Sequence, residues 1–273
     1  MPTTTTNNIE INYTDSGGDG RAVVLIHGWP LSGASWSDQV PALTAAGYRV
    51  VTYDRRGFGE SDKPTSGYDY DTFTADLAGL LEALDISDAT LVGFSMGGGE
   101  VVRYIGSNGS GRIRSAVLAG AVPPFLLKSD DNPDGGLGDD DVEGMKSGAR
   151  DDREGFLDGF MTNFFSANGE LQVTEEQRQE ALTLARPALD EAVVGCIEAF
   201  SRTDFRADLD AVDVPVLVIH GDSDAIVPFE VSGKRSSEQL SDATLHVVEG
   251  GPHGFNVSHA DELNAALIDF LAK

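Results

Sequence analysis

Short apolar runs recur along the chain, and each one ends in glycine, histidine or charged residues. Six of them lie at 22–26, 48–53, 89–92, 113–120, 214–219 and 243–248. They are continuous rather than alternating, which is typical of strands buried on both faces of a parallel sheet. Helical patterns, for example at 72–84 and 260–271, separate them. This alternation predicts an α/β fold with a mostly parallel, doubly wound sheet.

One long stretch interrupts the alternation. Between about residues 121 and 208 the sequence has helical patterns and an acidic loop but no convincing buried strand. Because the stretch lies between two predicted strands, we interpret it as a helical cap over the carboxyl ends of the sheet, where ligands of such folds bind. The prediction is therefore a single domain, 1–273, with a helical cap insertion at 121–208.

Ser95 lies at a predicted turn between a strand and a helix. It is the centre of Gly93-Phe94-Ser95-Met96-Gly97, which matches the G-x-S-x-G nucleophile motif in the strand–turn–helix context that the motif requires. Such a turn lifts the serine hydroxyl clear of the sheet, and the two flanking glycines let strand and helix approach closely. A glycine-rich packing turn without chemistry is the alternative interpretation.

Candidates for the other members of a catalytic triad follow in the order serine, acid, histidine. Asp222 and Asp224 come after the strand predicted at 214–219, and His253 comes after the last predicted strand. His253 would accept the proton of the Ser95 hydroxyl, and an aspartate would orient the imidazole. The order alone leaves both aspartates open as the acid.

A serine hydrolase also needs backbone donors for an oxyanion. One expected donor is the N–H of Met96, the residue after the nucleophile. The second is expected in the turn that follows the strand at 22–26, most simply the N–H of Trp29, because Pro30 has no N–H.

The remaining histidines carry weaker signals. His27 begins an early turn and is predicted to brace it. His220 and His246 are predicted to be core or face residues, and His259 precedes the last helix. These histidines do not cluster at the spacing of metal ligands, so the sequence predicts no metal site.

An acidic loop inside the predicted cap offers a different kind of site. Asp130, Asn132 and Asp134 have the spacing of the first ligands in an EF-hand calcium loop. Pro133 and the lack of a glutamate at the last ligand position disfavour calcium. A solvated acidic loop is therefore the preferred interpretation.

The net charge of −26, from 45 acidic and 19 basic residues, bears on partners and environment. Nucleic acids and anionic membranes would be repelled, and no apolar run reaches the roughly 18–20 residues of a membrane span. Many carboxylates with five lysines indicate a salt-adapted protein. The alternative is that the acidic composition serves solubility alone.

The N-terminus lacks a signal-peptide pattern and Cys196 is the single cysteine, which favours a cytoplasmic location.

Across nearly its whole length the chain resembles the α/β-hydrolases, and more narrowly the cofactor-free (non-haem) chloroperoxidases, or perhydrolases, and their esterase relatives. The residues that carry this resemblance are His27-Gly28-Trp29-Pro30-Leu31-Ser32, Tyr53-Asp54-Arg55-Arg56-Gly57-Phe58-Gly59-Glu60-Ser61, Gly93-Phe94-Ser95-Met96-Gly97-Gly98-Gly99-Glu100-Val101, and the segments 123–128 and 131–135. The resemblance implies Asp224 as the acid and no cofactor. It also implies a homo-oligomer, although no interface signal is readable.

The resemblance implies a carboxylic ester hydrolase in which Ser95 forms an acyl-enzyme. Water would release the acid, and hydrogen peroxide would release a peracid that oxidises halide away from the protein. The pair Trp29-Pro30 resembles that of members with perhydrolase activity. A lactonase or a carbon–carbon bond hydrolase would use the same triad. A non-catalytic ligand receptor is disfavoured because the triad is intact.

Overall fold

The computed structural model describes residues 2–273, and its centre is one eight-stranded sheet. Its strands and a separate two-stranded ribbon are β1 (Thr3–Thr6), β2 (Ile9–Asp15), β3 (Ala22–Ile26), β4 (Arg49–Tyr53), β5 (Ala89–Phe94), β6 (Ile113–Ala119), β7 (Ser166–Ala167), β8 (Glu170–Leu171), β9 (Val216–Gly221) and β10 (Ala243–Val248). The sheet order is β1-β2-β4-β3-β5-β6-β9-β10, and β7 pairs with β8. From β4 to β10 every pairing is parallel.

The helices are α1 (Gln39–Ala45), α2 (Tyr70–Ala83), α3 (Met96–Asn108), α4 (Asp139–Asp151), α5 (Arg153–Phe164), α6 (Glu175–Ala185), α7 (Asp190–Arg202), α8 (Arg206–Asp210), α9 (Gly233–Gln239), α10 (Phe255–Ser258) and α11 (Ala260–Leu271). A 3₁₀ turn covers Gly33–Trp36. The predicted α/β class with a mostly parallel sheet is confirmed. Within residues 2–273 no helix combines the length and the apolar character that crossing a membrane demands.

The parallel strands are buried on both faces, as their continuous apolar runs predict. In β3 the residues Val24 and Ile26 face one hydrophobic cluster, and Val23 and Leu25 face the other. Helices α2 and α3 pack on the first side, whereas α11 contributes its leucines to the second. This double covering fixes the strand positions, and therefore fixes where each strand-end loop begins.

Strands β1 and β2 are absent from the sequence-based prediction. They pair antiparallel with each other, and β2 pairs antiparallel with β4. Ile9 and Ile11 of β2 are buried, with the exposed Glu10 between them. This alternation is typical of an antiparallel edge with one covered face. Neither strand therefore carries the continuous apolar run that marks the central strands.

The chain between β6 and β9 carries α4 to α8 and the β7–β8 ribbon. Helix α4 packs on α7, and α5 packs on α6, while α8 packs on α3 of the central layer. These helices lie in the range that the sequence assigns to a cap. The boundaries 121–208 and the single-domain assignment stay predictions.

The acidic loop before α4 differs from a simply solvated loop. Asn132 is 1% exposed, and its amide donates to the carbonyl oxygens of Phe125 and Leu127 at 3.0 and 2.7 Å. Its Oδ1 accepts from Arg235 at 2.7 Å, and Asp131 pairs with Arg206. Two side chains of the loop thus hold protein groups, so the sequence expectation of solvated side chains is wrong for Asn132.

Candidate active site

Ser95 stands at the sharp turn from β5 into α3. Its backbone has φ +54° and ψ −119°, an unfavourable conformation for a residue with a side chain. A Cβ on Gly93 would lie 2.4 Å from the carbonyl oxygen of Gly97, and one on Gly97 would lie 2.5 Å from that of Ile26. The two glycines of the motif are therefore required because strand, turn and helix touch through bare backbone.

The structure brings Ser95, His253 and Asp224 into one chain of hydrogen bonds. The distance from Ser95 Oγ to His253 Nε2 is 2.9 Å, and the distance from His253 Nδ1 to Asp224 Oδ2 is 2.7 Å. All three residues are buried. The imidazole packs against the rings of Phe94 and Phe164 at centroid distances of 5.2 and 5.0 Å. These contacts restrict the imidazole to the orientation that reaches both partners.

Asp224 is a buried carboxylate whose two oxygens accept hydrogen bonds from protein groups. Its Oδ1 accepts from the N–H groups of Ile226 and Val227 at 2.9 and 2.8 Å. Burial raises the pKa of Asp224, but the charge of His253 and the hydrogen bonds from His220 and His253 outweigh it, so the pKa lies below the usual range. The carboxylate is therefore ionised at neutral pH and available to orient an imidazole.

Asp222, the other aspartate in this loop, has a different environment. Its side chain is exposed and accepts from the N–H of Gly250 at 2.8 Å and from Ser223 at 3.1 Å. It closes the turn after β9 and is not hydrogen-bonded to His253, whose Nδ1 is used by Asp224.

The two expected oxyanion donors lie on either side of Ser95. A Cβ on Gly28 would come within 3.1 Å of the Ser95 Cβ, so the loop that carries Trp29 lies against the serine. Among residues 2–273 no protein group accepts a hydrogen bond from the N–H of Trp29 or of Met96. The partner carbonyls of these peptides are occupied: Gly28 O accepts from Leu31 and Ser95 O accepts from Val122. Both N–H groups are therefore free for a ligand.

A cavity of about 40 Å³ opens beside the Ser95 hydroxyl. Apart from the serine its lining is apolar, and most of the lining residues come from the segment between β6 and β9. The lining consists of Trp29, Ser95, Val122, Leu126, Leu137, Met145, Phe160, Phe200, Ile226 and Val227. Such a space accepts a small apolar group and offers no charged partner to it.

The indole of Trp29 connects the loop after β3 to the helices between β6 and β9. Its Nε1 donates to the carbonyl oxygen of Val193 in α7 at 3.1 Å. The ring meets Phe160 edge-on at 4.9 Å and Phe200 at 5.6 Å. The same residue thus combines a backbone N–H without a protein acceptor and a side chain anchored to α7.

The other histidines have structural contacts. His27 braces its turn, as predicted, by hydrogen bonds to Gly28 and Arg55. His246 pairs with Glu262 on the surface. In residues 2–273 no group of three or more histidine, cysteine, aspartate or glutamate side chains is arranged to hold a metal ion.

The contact between His220 and Asp224 is not part of the sequence-based prediction. His220 is buried as predicted, but its Nε2 lies 2.8 Å from the carbonyl oxygen of Val227 and 3.3 Å from Asp224 Oδ2. The signal was available, since His220 and Asp224 are four residues apart across one strand-end turn. In the sequence, nothing distinguishes a histidine that faces this turn from one that faces the core.

Comparison with known proteins agrees with this architecture. Residues 21–260 match the model of the α/β-hydrolase fold family. The sequence is 45% identical to the non-heme chloroperoxidase of Kitasatospora aureofaciens over 99% of this chain and 98% of that protein. It is 36% identical to the bifunctional esterase/perhydrolase of Acinetobacter calcoaceticus, over 98% of both. A crystal structure of a bromoperoxidase from Bacillus anthracis, 55% identical, superposes with a TM-score of 0.95 over 97% of this chain and 96% of that one. The chain therefore belongs to the α/β-hydrolase superfamily and is an enzyme of that superfamily.

Proposed function

We propose that the protein is a serine-dependent carboxylic ester hydrolase that forms an acyl-enzyme and also transfers the acyl group to hydrogen peroxide. The observation that carries the proposal is the hydrogen-bonded chain Ser95–His253–Asp224 at the edge of a small apolar cavity. The relatives named as chloroperoxidase and esterase/perhydrolase support the same chemistry.

In the first half-reaction Ser95 Oγ attacks the carbonyl carbon of the ester while His253 Nε2 accepts the hydroxyl proton. The carbonyl π electrons move to the oxygen, and the N–H groups of Trp29 and Met96 stabilise the oxyanion. Asp224 holds the imidazolium. When the intermediate collapses, the bond to the alkoxy group breaks and the alcohol leaves with the proton from His253. The acyl group remains bonded to Ser95.

In the second half-reaction His253 removes a proton from water or from hydrogen peroxide, and the resulting nucleophile attacks the acyl carbon. Water yields the carboxylic acid, and peroxide yields the peracid. In both cases the serine oxygen leaves and regains its proton from His253. The peracid diffuses away and oxidises bromide or chloride to the hypohalous acid, and is itself reduced to the carboxylic acid. No redox-active group on the protein is needed for this sequence.

The cavity favours short acyl donors. A volume of about 40 Å³ holds an acetyl-sized group, and its apolar lining gives a charged acyl chain no partner. We therefore expect acetate or propionate esters, and the corresponding acids with peroxide, to react faster than longer chains. A lactonase or a carbon–carbon bond hydrolase would need room for a larger substrate next to Ser95.

The test uses the purified protein at low and high salt with p-nitrophenyl acetate, and separately with acetate, hydrogen peroxide, bromide and a halogenation dye. Ser95→Ala should abolish both reactions. Ser87→Ala is the matched control, because Ser87 is exposed and precedes β5, whereas Ser95 follows it. Ser87→Ala should retain both activities.

Each outcome has a definite meaning. Loss of both reactions in Ser95→Ala supports one acyl-enzyme for both. Ester cleavage without bromination retains the hydrolase and removes the perhydrolase part. If neither reaction occurs at any salt concentration, the proposal fails, and lactones and carbon–carbon bond substrates become the next candidates.

A further inference from the structure

His27 makes two hydrogen bonds that fix its tautomer. The ring is fully buried, with Nε2 2.9 Å from the backbone N of Arg55 and Nδ1 2.9 Å from the carbonyl oxygen of Gly28. A backbone N–H can only donate, so Nε2 must be an unprotonated acceptor. The single ring proton therefore lies on Nδ1 and is donated to Gly28 O.

That carbonyl belongs to the same peptide group as the N–H of Trp29. A peptide group is planar, and the Gly28–Trp29 bond is trans, so its C=O and N–H point in opposite directions. A donor that holds the carbonyl on one side therefore aims the N–H to the other side. Leu31 N–H also donates to Gly28 O, at 3.1 Å, from the same loop, so His27 is the side-chain donor to this carbonyl.

We infer that His27, in its Nδ1–H form, is a positioning residue that orients the Trp29 N–H toward the oxyanion. The buried Arg55–Glu100 pair then connects the His27 turn to α3, the helix that follows Ser95. The inference rests on the proposed acyl-transfer function. None of the three side chains lines the cavity beside Ser95, so they act through the backbone.

Arg55 connects the His27 turn to α3 by hydrogen bonds to one backbone carbonyl and one glutamate. Its Nη2 donates to His27 O at 3.0 Å, which fixes the peptide before Gly28. Its Nε donates to Glu100 Oε2 at 2.9 Å, and Tyr53 donates to the other oxygen of Glu100. Glu100 lies in α3, the helix that begins at Met96.

The consequence is a fixed distance between two donors on separate loops. Trp29 follows β3, and Met96 follows β5, so no single element holds both. The pair Arg55–Glu100 is 1% and 0% exposed and spans the gap between them. An oxyanion hole is effective when its donors are held in place before the reaction, which is what this buried connection supplies.

The experiment separates the two hydrogen bonds of His27. Glutamine can place its amide oxygen near the Nε2 position and so retain an acceptor for Arg55, but it cannot donate to Gly28 O from the Nδ1 position. Asparagine can donate from the Nδ1 position but loses the acceptor. We expect His27→Gln to lower kcat on p-nitrophenyl acetate about 10²–10³-fold, the loss typical of one oxyanion donor. We expect His27→Asn to stay within about tenfold of the wild type, and KM to change little in either.

Two further measurements, the inhibition constant of a substrate-like ketone and the melting temperature, distinguish a displaced N–H group from a general loss of stability. A trifluoromethyl ketone forms a tetrahedral adduct with Ser95, and its oxyanion needs the same N–H groups, so its inhibition constant should rise in His27→Gln in proportion to the loss of kcat. Melting temperature should fall in both variants. Equal kcat losses in the two variants, or a kcat loss without weaker inhibition, would overturn the inference.

Glu100→Gln tests the second part of the inference. It retains the shape but removes the charge that faces Arg55, and kcat should fall about tenfold with KM unchanged. A lower melting temperature with wild-type kcat would show that the pair serves stability alone. Failure of the proposed function is distinguishable, because then the wild type itself neither cleaves the ester nor binds the ketone.

Discussion

The imidazole of His27 illustrates how burial sets the chemistry of one side chain. Burial lowers its pKa well below the usual value, the nearby charge of Arg55 lowers it further, and the hydrogen bond to Gly28 opposes this only in part. In the unfolded chain the same histidine titrates near pH 6.5. Below that pH the unfolded state binds a proton that the folded state does not.

The sign of the pH dependence follows from this difference. Stability rises with pH wherever the unfolded state binds more protons, so His27 makes the free energy of unfolding fall as the pH drops below about 6.5. The slope it contributes approaches about 1.4 kcal/mol per pH unit. Urea unfolding at pH 5, 6 and 7 should show this slope, and His27→Asn should lack that part of it. Parallel curves for the two proteins would contradict the prediction.

We predict that His220 helps to hold the Asp224 carboxylate in place. His220→Leu removes the donor to Val227 O and to Asp224 Oδ2, leaving a buried carbonyl without that partner. We expect a loss of about 1–3 kcal/mol in the free energy of unfolding and a lower kcat, since both Asp224 and Val227, whose N–H binds Asp224, would lose a buried contact. His220→Gln retains a donor near Nε2 and is the matched control. Stability and kcat measured for both variants decide the question, and equal effects would refute a role for the hydrogen bond.

At this scale the sequence predicts which residues meet at the strand ends better than it predicts their individual contacts. Ser95, His253 and the two candidate aspartates follow from strand ends and chain order, and the choice of Asp224 depends on the family resemblance. Side-chain direction in a turn has no comparable signal. The contact of His220 with Asp224 is therefore visible in the fold and not in the sequence.

Among the elements, the turn between β5 and α3 has no room for added atoms at its two motif glycines. Gly97→Ala would place a methyl group 2.5 Å from Ile26 O, and backbone cannot move aside as a side chain can. We expect a loss of about 1–3 kcal/mol in stability and a large loss of kcat, because the relief of this contact must shift Ser95. Chemical denaturation and ester kinetics check both.

Gly159→Ala is the control for that substitution. Gly159 is exposed on α5, and an added Cβ there has no atom within 4 Å. Alanine should stabilise the helix by about 0.5–1 kcal/mol. Similar effects of the two substitutions would mean that the close packing at Gly97 has no energetic role.

The strands that are buried on both faces could be predicted from the sequence, because burial requires apolar residues. Strands β1, β2, β7 and β8 could not. The central parallel strands are continuous apolar runs, whereas β1 reads Thr3-Thr4-Thr5-Thr6 and is held by pairing with β2. Long-range pairing leaves no local signal of that kind. The two-residue strands β7 and β8 are likewise invisible in a pattern of apolar positions.

For the molecule as a whole, the net charge determines how stability responds to salt. A net charge of −26 produces self-repulsion that salt screens, with a Debye length of about 10 Å at 0.1 M and about 3 Å at 1 M. Some exposed charges are paired, as in Arg202 with Asp139 and Glu198, but such pairs contribute little. The unpaired carboxylates therefore decide the response to salt.

We expect the melting temperature to rise between 0.1 and 2 M sodium chloride, by about 2–4 °C for each kcal/mol of repulsion that is screened. Choline chloride is the control, because screening depends on ionic strength and not on the cation. A melting temperature that stays constant or falls with salt would contradict the salt-adapted interpretation.

The hydrogen bond from Trp29 to Val193 has a consequence for protein engineering. The helices between β6 and β9 look like a cassette that one could exchange to change the range of esters accepted. A grafted segment must nevertheless offer a carbonyl oxygen where Val193 stands and rings where Phe160 and Phe200 stand. Chimeras that omit them would keep Ser95 but displace the loop that carries Trp29, so under the proposed mechanism specificity and turnover would change together.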